Sequence, residues 1–321
     1  MVYLFGAINS CYQESEVMSP CFCDNPVFKC LGYDYIFISK IFQQIDEKYT
    51  WSKDFYKILI NNQAIDEIGE NIFHNSTFRE IKIYGCSGLK FFNKNAFSKT
   101  LTKTEKITIS FNERLGDLSV FQAINKLTAV REIELTYNNL SEIPSQAFNN
   151  NQTNLWHLTI SGPSINKIGQ RSFISLVNLK ELHIGGTNID FIPDFAFELK
   201  DSTNYPIYIY LDNSSMISSN SFAENAFANT RRPTLLNLNN NKITFLNETV
   251  FLPLLQANNL NKINMYGVQG FDCNDCENNW IKTNSMFNKI VLLKCSNGNE
   301  LDDPRNFENC DVWTDSKTTI I

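Results

Sequence analysis

Apolar and polar residues alternate in short runs along the middle of the chain, the pattern of a half-buried strand. The runs recur every 23–27 residues, with equivalent inward positions at Ile60, Ile83, Ile109, Leu135, Ile160, Ile184, Leu211, Leu238 and Met265. In the clearest unit, Val130, Ile133 and Leu135 are followed by Asn138, Leu140, Ile143 and the pair Ala147-Phe148. Leu179, Leu182, Ile184, Thr187, Ile189, Ile192 and Ala196-Phe197 repeat it. Period-two alternation sends the apolar side chains inward, so stacked units form a parallel sheet over a shared core. Phe73, Phe97, Phe148, Phe173, Phe197 and Phe251 are placed to fill the opposite wall as a spine of rings. One unit cannot bury its own apolar side, whereas neighbours bury it for each other.

A short polar side chain at the residue that ends each strand run can satisfy backbone groups in the following turn. Here the position reads Gln63, Cys86, Asn112, Asn138, Pro163, Thr187, Ser214, Asn241 and Val268, so a sparse asparagine ladder is expected. Cys86 fits that ladder as a buried free thiol. Extra residues around 213–227 and 252–258 are expected to bulge as loops.

Outward residues of consecutive strands form columns, and strands lie about 4.8 Å apart. Glu132, Glu134, His157, Glu181, His183, Tyr208, Tyr210 and Asp212 are therefore expected to share one acidic and aromatic patch. Two histidines near carboxylates could hold a metal or sense pH. No metal-site spacing supports this, so protein recognition is the stronger reading, because tyrosine is enriched at interfaces. His74, beside Phe73, reads as a surface residue.

Composition narrows the classes. Apolar residues make up 43% of the 321 and charged residues 19%, enough for a core. A net charge of −6 argues against a nucleic-acid partner, which needs a basic surface. No apolar run is long enough to span a bilayer as a helix. Phosphate-cradling and nucleophile-elbow motifs are missing and glycine is scarce, so no catalytic residue, metal or cofactor is assigned. Nine cysteines fall into two clumps, Cys11, Cys21, Cys23, Cys30 and Cys273, Cys276, Cys295, Cys310, with Cys86 alone. Two even clumps read as disulfide-stapled ends made in an oxidising compartment. Acceptor tripeptides at Asn75, Asn139, Asn151, Asn213 and Asn247 agree with secretion. The start, Met1-Val-Tyr-Leu-Phe-Gly-Ala-Ile, reads as a signal remnant or a disordered stretch.

The repeats resemble leucine-rich repeats, whose units run about 20–29 residues. The spacing of Cys11, Cys21, Cys23 and Cys30 resembles the N-terminal cysteine flank of extracellular leucine-rich repeat proteins, and Phe271-Asp-Cys-Asn-Asp-Cys276 with Trp280, Cys295 and Cys310 resembles their C-terminal flank. That resemblance implies Cys11–Cys23 with Cys21–Cys30, and Cys273–Cys295 with Cys276–Cys310. Spacing alone leaves three pairings open for each clump. Together with Leu293-Lys-Cys-Ser-Asn-Gly298, the two caps are similar to arthropod leucine-rich repeat proteins of the oplophorus-luciferin 2-monooxygenase non-catalytic subunit type.

The expected fold is an α/β solenoid, a horseshoe of about nine repeats with a parallel concave sheet and a disulfide cap at each end. Its divisions are 1–10 (signal remnant or disordered), 11–54 (cap), 55–270 (repeats), 271–310 (cap) and 311–321 (tail). The expected function is secreted, non-catalytic protein recognition through the concave face. The alternative is a structural or stabilising subunit of an extracellular complex or matrix.

Overall fold

The structure is a computed structural model that describes residues 18–24, 26–48, 53–200, 204–307 and 310. The chain forms two compact units, Met1–Ser141 with Ala147–Ser164, and Glu142–Gln146 with Ile165–Ile321.

The first unit opens with an antiparallel pair, β1 (Phe22–Asp24) and β2 (Val27–Gly32). β2 then pairs in parallel with β3 (Asp54–Asn62). The N-terminal cap therefore adds a strand to the sheet instead of merely covering its end. The ladder continues in parallel through β5 (Thr77–Tyr84), β7 (Lys106–Ser110), β8 (Glu132–Thr136) and β10 (His157–Ser161). Behind it, β4 (Glu67–Ile68) pairs with β6 (Phe91–Phe92). Helix α1 (Ile38–Lys48) turns Ile38, Ile41, Phe42 and Ile45 inward at helical spacing. The Phe42 ring meets Phe28 at 5.1 Å and Phe73 at 5.4 Å, which closes the start of the core.

In the second unit, β12 (Glu181–His183), β13 (Ile207–Tyr210), β14 (Thr234–Asn237), β15 (Lys262–Asn264) and β16 (Ile290–Val291) form a parallel sheet in chain order. β9 (Glu142–Ile143) pairs with β11 (Lys167–Ile168) on its other wall. The nine inward residues that define the repeat, from Ile60 to Met265, are all buried.

All six expected spine rings are buried. The periodicity missed two further members. Phe121, on α2 (Ser119–Ile124), meets Phe148 at 5.8 Å in the first unit. Phe227 stacks on Phe197 at 5.1 Å in the second, and Ala226-Phe227 is the same Ala-Phe pair that marks other repeats. Residues 213–227 form an irregular turn as expected, tied back by bridges from Ser218 to Lys242 and from Phe222 to Ile192.

The expected loop at 252–258 is instead largely helix α3 (Glu248–Ala257). Asn247 caps this helix, its Oδ1 accepting from Thr249 N at 3.0 Å. The helix turns Val250, Phe251, Leu254 and Leu255 into the core, and that burial outweighs the missing amide of Pro253.

The turn ladder is denser than the asparagine count suggests. Asn62, one residue earlier than the expected Gln63, is its first member, accepting from Ala64 N and Ile65 N. Asn62 N then donates to Cys86 Sγ (3.5 Å), Cys86 N to Asn112 Oδ1 (2.9 Å) and Asn112 N to Asn138 Oδ1 (3.2 Å). In the second unit Thr187 N donates to Ser214 Oγ and Ser214 N to Asn241 Oδ1. Sulfur and hydroxyl groups thus do the work of the missing amides. Cys86 is free and fully buried, and burial pushes its thiol up to about 11. A thiol so placed is a packing and acceptor group, with little thiolate to react.

At the ends, Cys21–Cys30, Cys273–Cys295 and Cys276–Cys310 are bonded as expected. Cys23 is also disulfide-bonded, and its expected partner Cys11 lies outside the described residues. Trp280 anchors the C-terminal cap, donating from Nε1 to Leu246 O at 2.8 Å.

Candidate functional site

The expected patch residues divide between the units. Glu132, Glu134 and His157 belong to the first, and Glu181, His183, Tyr208, Tyr210 and Asp212 to the second. All eight are at least partly accessible, seven of them on outward strand positions and Asp212 two residues past the end of β13.

In the first unit the carboxylates of the expected acidic patch are paired with lysines. Strand register sets Lys57, Glu80, Lys106 and Glu132 side by side as an alternating ladder of charge. Lys57 Nζ lies 3.0 Å from Glu80 Oε2, and Lys106 Nζ lies 2.8 Å from both Glu132 Oε2 and Glu134 Oε1. Thr108 Oγ1 donates to Glu134 Oε2 at 3.1 Å, and Tyr56 OH to Glu80 Oε1 at 2.6 Å. Burial raises the Glu134 carboxyl, but the hydrogen bond and charge of Lys106, with Thr108 and His157, bring it below its ordinary value. Burial likewise opposes the charge of Lys106, and Glu132 and Glu134 more than reverse that, raising its pKa. His157 shares a 3.1 Å hydrogen bond with Thr159. Each of these carboxylates thus has a lysine partner, with Lys106 shared between two. His74 is half-buried and bonded to Ser39 at 2.9 Å, more enclosed than the surface reading proposed.

The rim of the same sheet carries a feature that periodicity alone did not single out. Positive φ recurs two residues past the inward residue of a repeat in both units, at Gly85 after Ile83 and at Gly186, Asn213, Asn240 and Gly267 after Ile184, Leu211, Leu238 and Met265. Phe111 (φ 56°) and Tyr137 (φ 52°) hold equivalent positions despite their bulk. They are 57% and 53% exposed, with parallel rings 5.1 Å apart.

In the second unit the outward residues build a groove. Register aligns Tyr208, Leu235 and Lys262 in one row, and Tyr210, Asn237 and Asn264 in the next. Leu235 floors a depression of about 220 Å³, with Val291 at its end. The Tyr210 ring stacks on His183 at 4.0 Å and 7°, which fixes its orientation. Burial, then the charges of Glu181, Tyr208 and Asp212, raise the Tyr210 phenol, so it stays protonated at neutral pH. His183 Nε2 lies 3.8 Å from Glu181 Oε2. Asp212 is bonded to Asn213 Nδ2.

The groove's two amides have defined orientations. Asn237 Oδ1 accepts from Asn239 N at 3.0 Å, and Asn264 Oδ1 accepts from Tyr266 N at 3.1 Å. An N–H can bond only to the amide oxygen, so each Nδ2 is left as a donor. A larger cavity of about 350 Å³ lies between residues 224–231 and α3. Its polar groups bond to their own surroundings, Asn229 to Glu198 and Thr249 to Asn247, which makes it a packing seam.

Of the glycosylation candidates, Asn75, Asn139, Asn151 and Asn213 are exposed, and Asn247 is half-buried at the start of α3. No helix among the described residues is long and apolar enough to cross a membrane.

The Leucine rich repeat family matches residues 128–189, and the BspA type Leucine rich repeat region (6 copies) matches residues 43–132. No curated protein matches the chain. Among solved structures, a chain of the TLR13–ssRNA13 complex is similar at TM-score 0.55 and 18% identity, over 75% of this chain and 31% of that one. This chain therefore spans less than a third of the TLR13 chain's length. A chain of the octameric complex of Latrophilin 3, Unc5D and FLRT2, in which FLRT2 is the leucine-rich repeat component, is similar at TM-score 0.54 and 17% identity, over 92% and 99% of the two chains. Strands on a two-dozen-residue period, turn ladders, a phenylalanine wall, bonded caps and two repeat-family matches give the chain a leucine-rich repeat fold.

Proposed function

We propose that this protein is a secreted, non-catalytic binding protein that recognises another protein through the outward face of its sheet, with contact centred on Tyr208, Tyr210 and Leu235. The groove carries the proposal: two partly exposed tyrosines and an aliphatic floor beside polar Asn237, Lys262 and Asn264. Rigid aromatic groups beside adaptable amides are the composition of protein recognition surfaces. The disulfides support an oxidising compartment, and the exposed acceptor asparagines accord with glycosylation there. The acidic net charge favours a protein partner over a nucleic acid. The FLRT2-containing complex is an assembly of proteins, which accords with this mode. So does the likeness of both caps to the non-catalytic subunits of arthropod oplophorus-luciferin 2-monooxygenase.

A photo-crosslinking residue at position 208, in the full chain added to native secretions, tests the proposal. One stoichiometric adduct, lost on Tyr210→Ala and not formed from position 242, is expected. Labelling that is equal from both positions refutes recognition by the sheet face and favours a structural subunit.

A further inference from the structure

The polar groups of the groove over Leu235 can all donate, and only the tyrosine hydroxyls can also accept. Asn237 and Asn264 spend their oxygens on backbone N–H groups and offer only Nδ2. Lys262 is exposed and makes no ion pair among the described residues. The Tyr210 phenol holds its proton. Donors thus converge over an apolar floor, and what complements them is an acceptor with negative charge attached to an apolar body.

Charge also gives the groove a direction. Glu181, with His183, lies beside the Tyr208 and Tyr210 end. Asp212 adds negative charge near Tyr210. Lys262 stands two strands away, roughly 10 Å. A carboxylate is repelled at the first end and attracted at the second. The volume of about 220 Å³ falls below the roughly 300–1,000 Å³ of small-molecule pockets and suits one or two side chains.

We infer that the groove binds a peptide segment of a partner protein, with an apolar side chain seated on Leu235 between the tyrosines and a neighbouring Asp or Glu facing Lys262 and the two amides. This rests on the sheet-face reading and names the chemistry recognised there. The donor set does the choosing: a basic side chain in the same place leaves donors facing donors, and an amide offers an oxygen without the charge that meets Lys262.

Random heptapeptides displayed between fixed linkers, so that none presents a terminal carboxylate, are selected on the full chain. The best are then synthesised with a fluorophore and titrated by anisotropy. Selected sequences are expected to share Leu, Phe, Tyr or Trp within two residues of Asp or Glu. Changing that acid to its amide weakens binding about tenfold, and so does Lys262→Glu, the loss of one charge-assisted contact. Lys242→Glu, outside the groove, leaves affinity unchanged. A consensus without an acid, or indifference to Lys262→Glu, overturns the carboxylate assignment, and sheet-face recognition survives if Tyr210→Ala still abolishes binding. Indifference to Tyr208→Ala, Tyr210→Ala and Lys262→Glu, or a selection that enriches nothing over the double tyrosine variant, overturns both.

Discussion

Phe227→Ala puts the aromatic wall of the second unit under direct strain. Its ring is 5% exposed and meets three others, Phe197 at 5.1 Å, Phe222 at 5.8 Å and Phe251 at 6.2 Å. Truncating a buried phenylalanine costs about 3–5 kcal/mol, and ring pairs add about 0.5–1.5 kcal/mol each beyond area burial. With three partners lost at once, the upper half of that range is expected. This is a large share of the roughly 5–15 kcal/mol that holds a folded protein together. In urea, about 4 kcal/mol at a slope near 3 kcal/mol/M moves the midpoint down by roughly 1.3 M. The measurement is urea unfolding followed by near- and far-ultraviolet circular dichroism. Phe191→Ala serves as control, because that ring is 53% exposed. A midpoint shift no larger than the control's would refute the claim that stacked rings close the wall of the coil.

Lys106→Ala should destabilise the chain by about 0.5–1 kcal/mol at neutral pH, a modest figure because the triad is about one-third exposed. Glu134 has a depressed folded pKa, so its contribution is present above the unfolded value of about 4.3 and is lost as pH falls through the folded one. Lys106 has a raised pKa, so its contribution is complete below about 10.4 and is lost above its folded value. Urea midpoints of the two proteins should therefore differ steadily from pH 5 to 9 and converge towards pH 3; a gap that persists in acid contradicts the ladder. Tyr137→Asn should change stability by less than about 1 kcal/mol, since relief of left-handed backbone strain offsets the lost stacking on Phe111. Tyr137→Val, with no such relief, should lower the thermal midpoint measurably, and equal midpoints for the two variants would count against strain at this position.

Much of the architecture was legible without coordinates because it rests on local periodicity. Ile133 and Leu135 face inward for the same reason as Leu182 and Ile184: a strand alternates sides, and one side has a core to fill. Sites were less legible. Glu132 and Glu134 look like free acids until register brings Lys106 within 2.8 Å of both, and the pairing turns free acids into partners in a ladder of charge. Asn62 displaced Gln63 because the first turn is one residue tighter, a detail that depends on where the hydrogen bonds close. The loop at 252–258 became helix because Phe251, Leu254 and Leu255 gain more by burial than Pro253 loses.

Sequence alone determined the repeat, its inward residues and most of the phenylalanine wall, since these follow from spacing along one chain. Resemblance to known cysteine flanks supplied the pairings that spacing left open. Tertiary structure decided which outward charges cancel, which amides turn their oxygens inward, and that Leu235 floors a groove of donors. The charge pairing and the groove depend on side chains from strands more than twenty residues apart meeting across about 5 Å, whereas each amide is oriented by a backbone N–H two residues on. Hydrogen bonds and ion pairs at that separation are set by register and rotamer, and neither is written in the order of residues along a single strand.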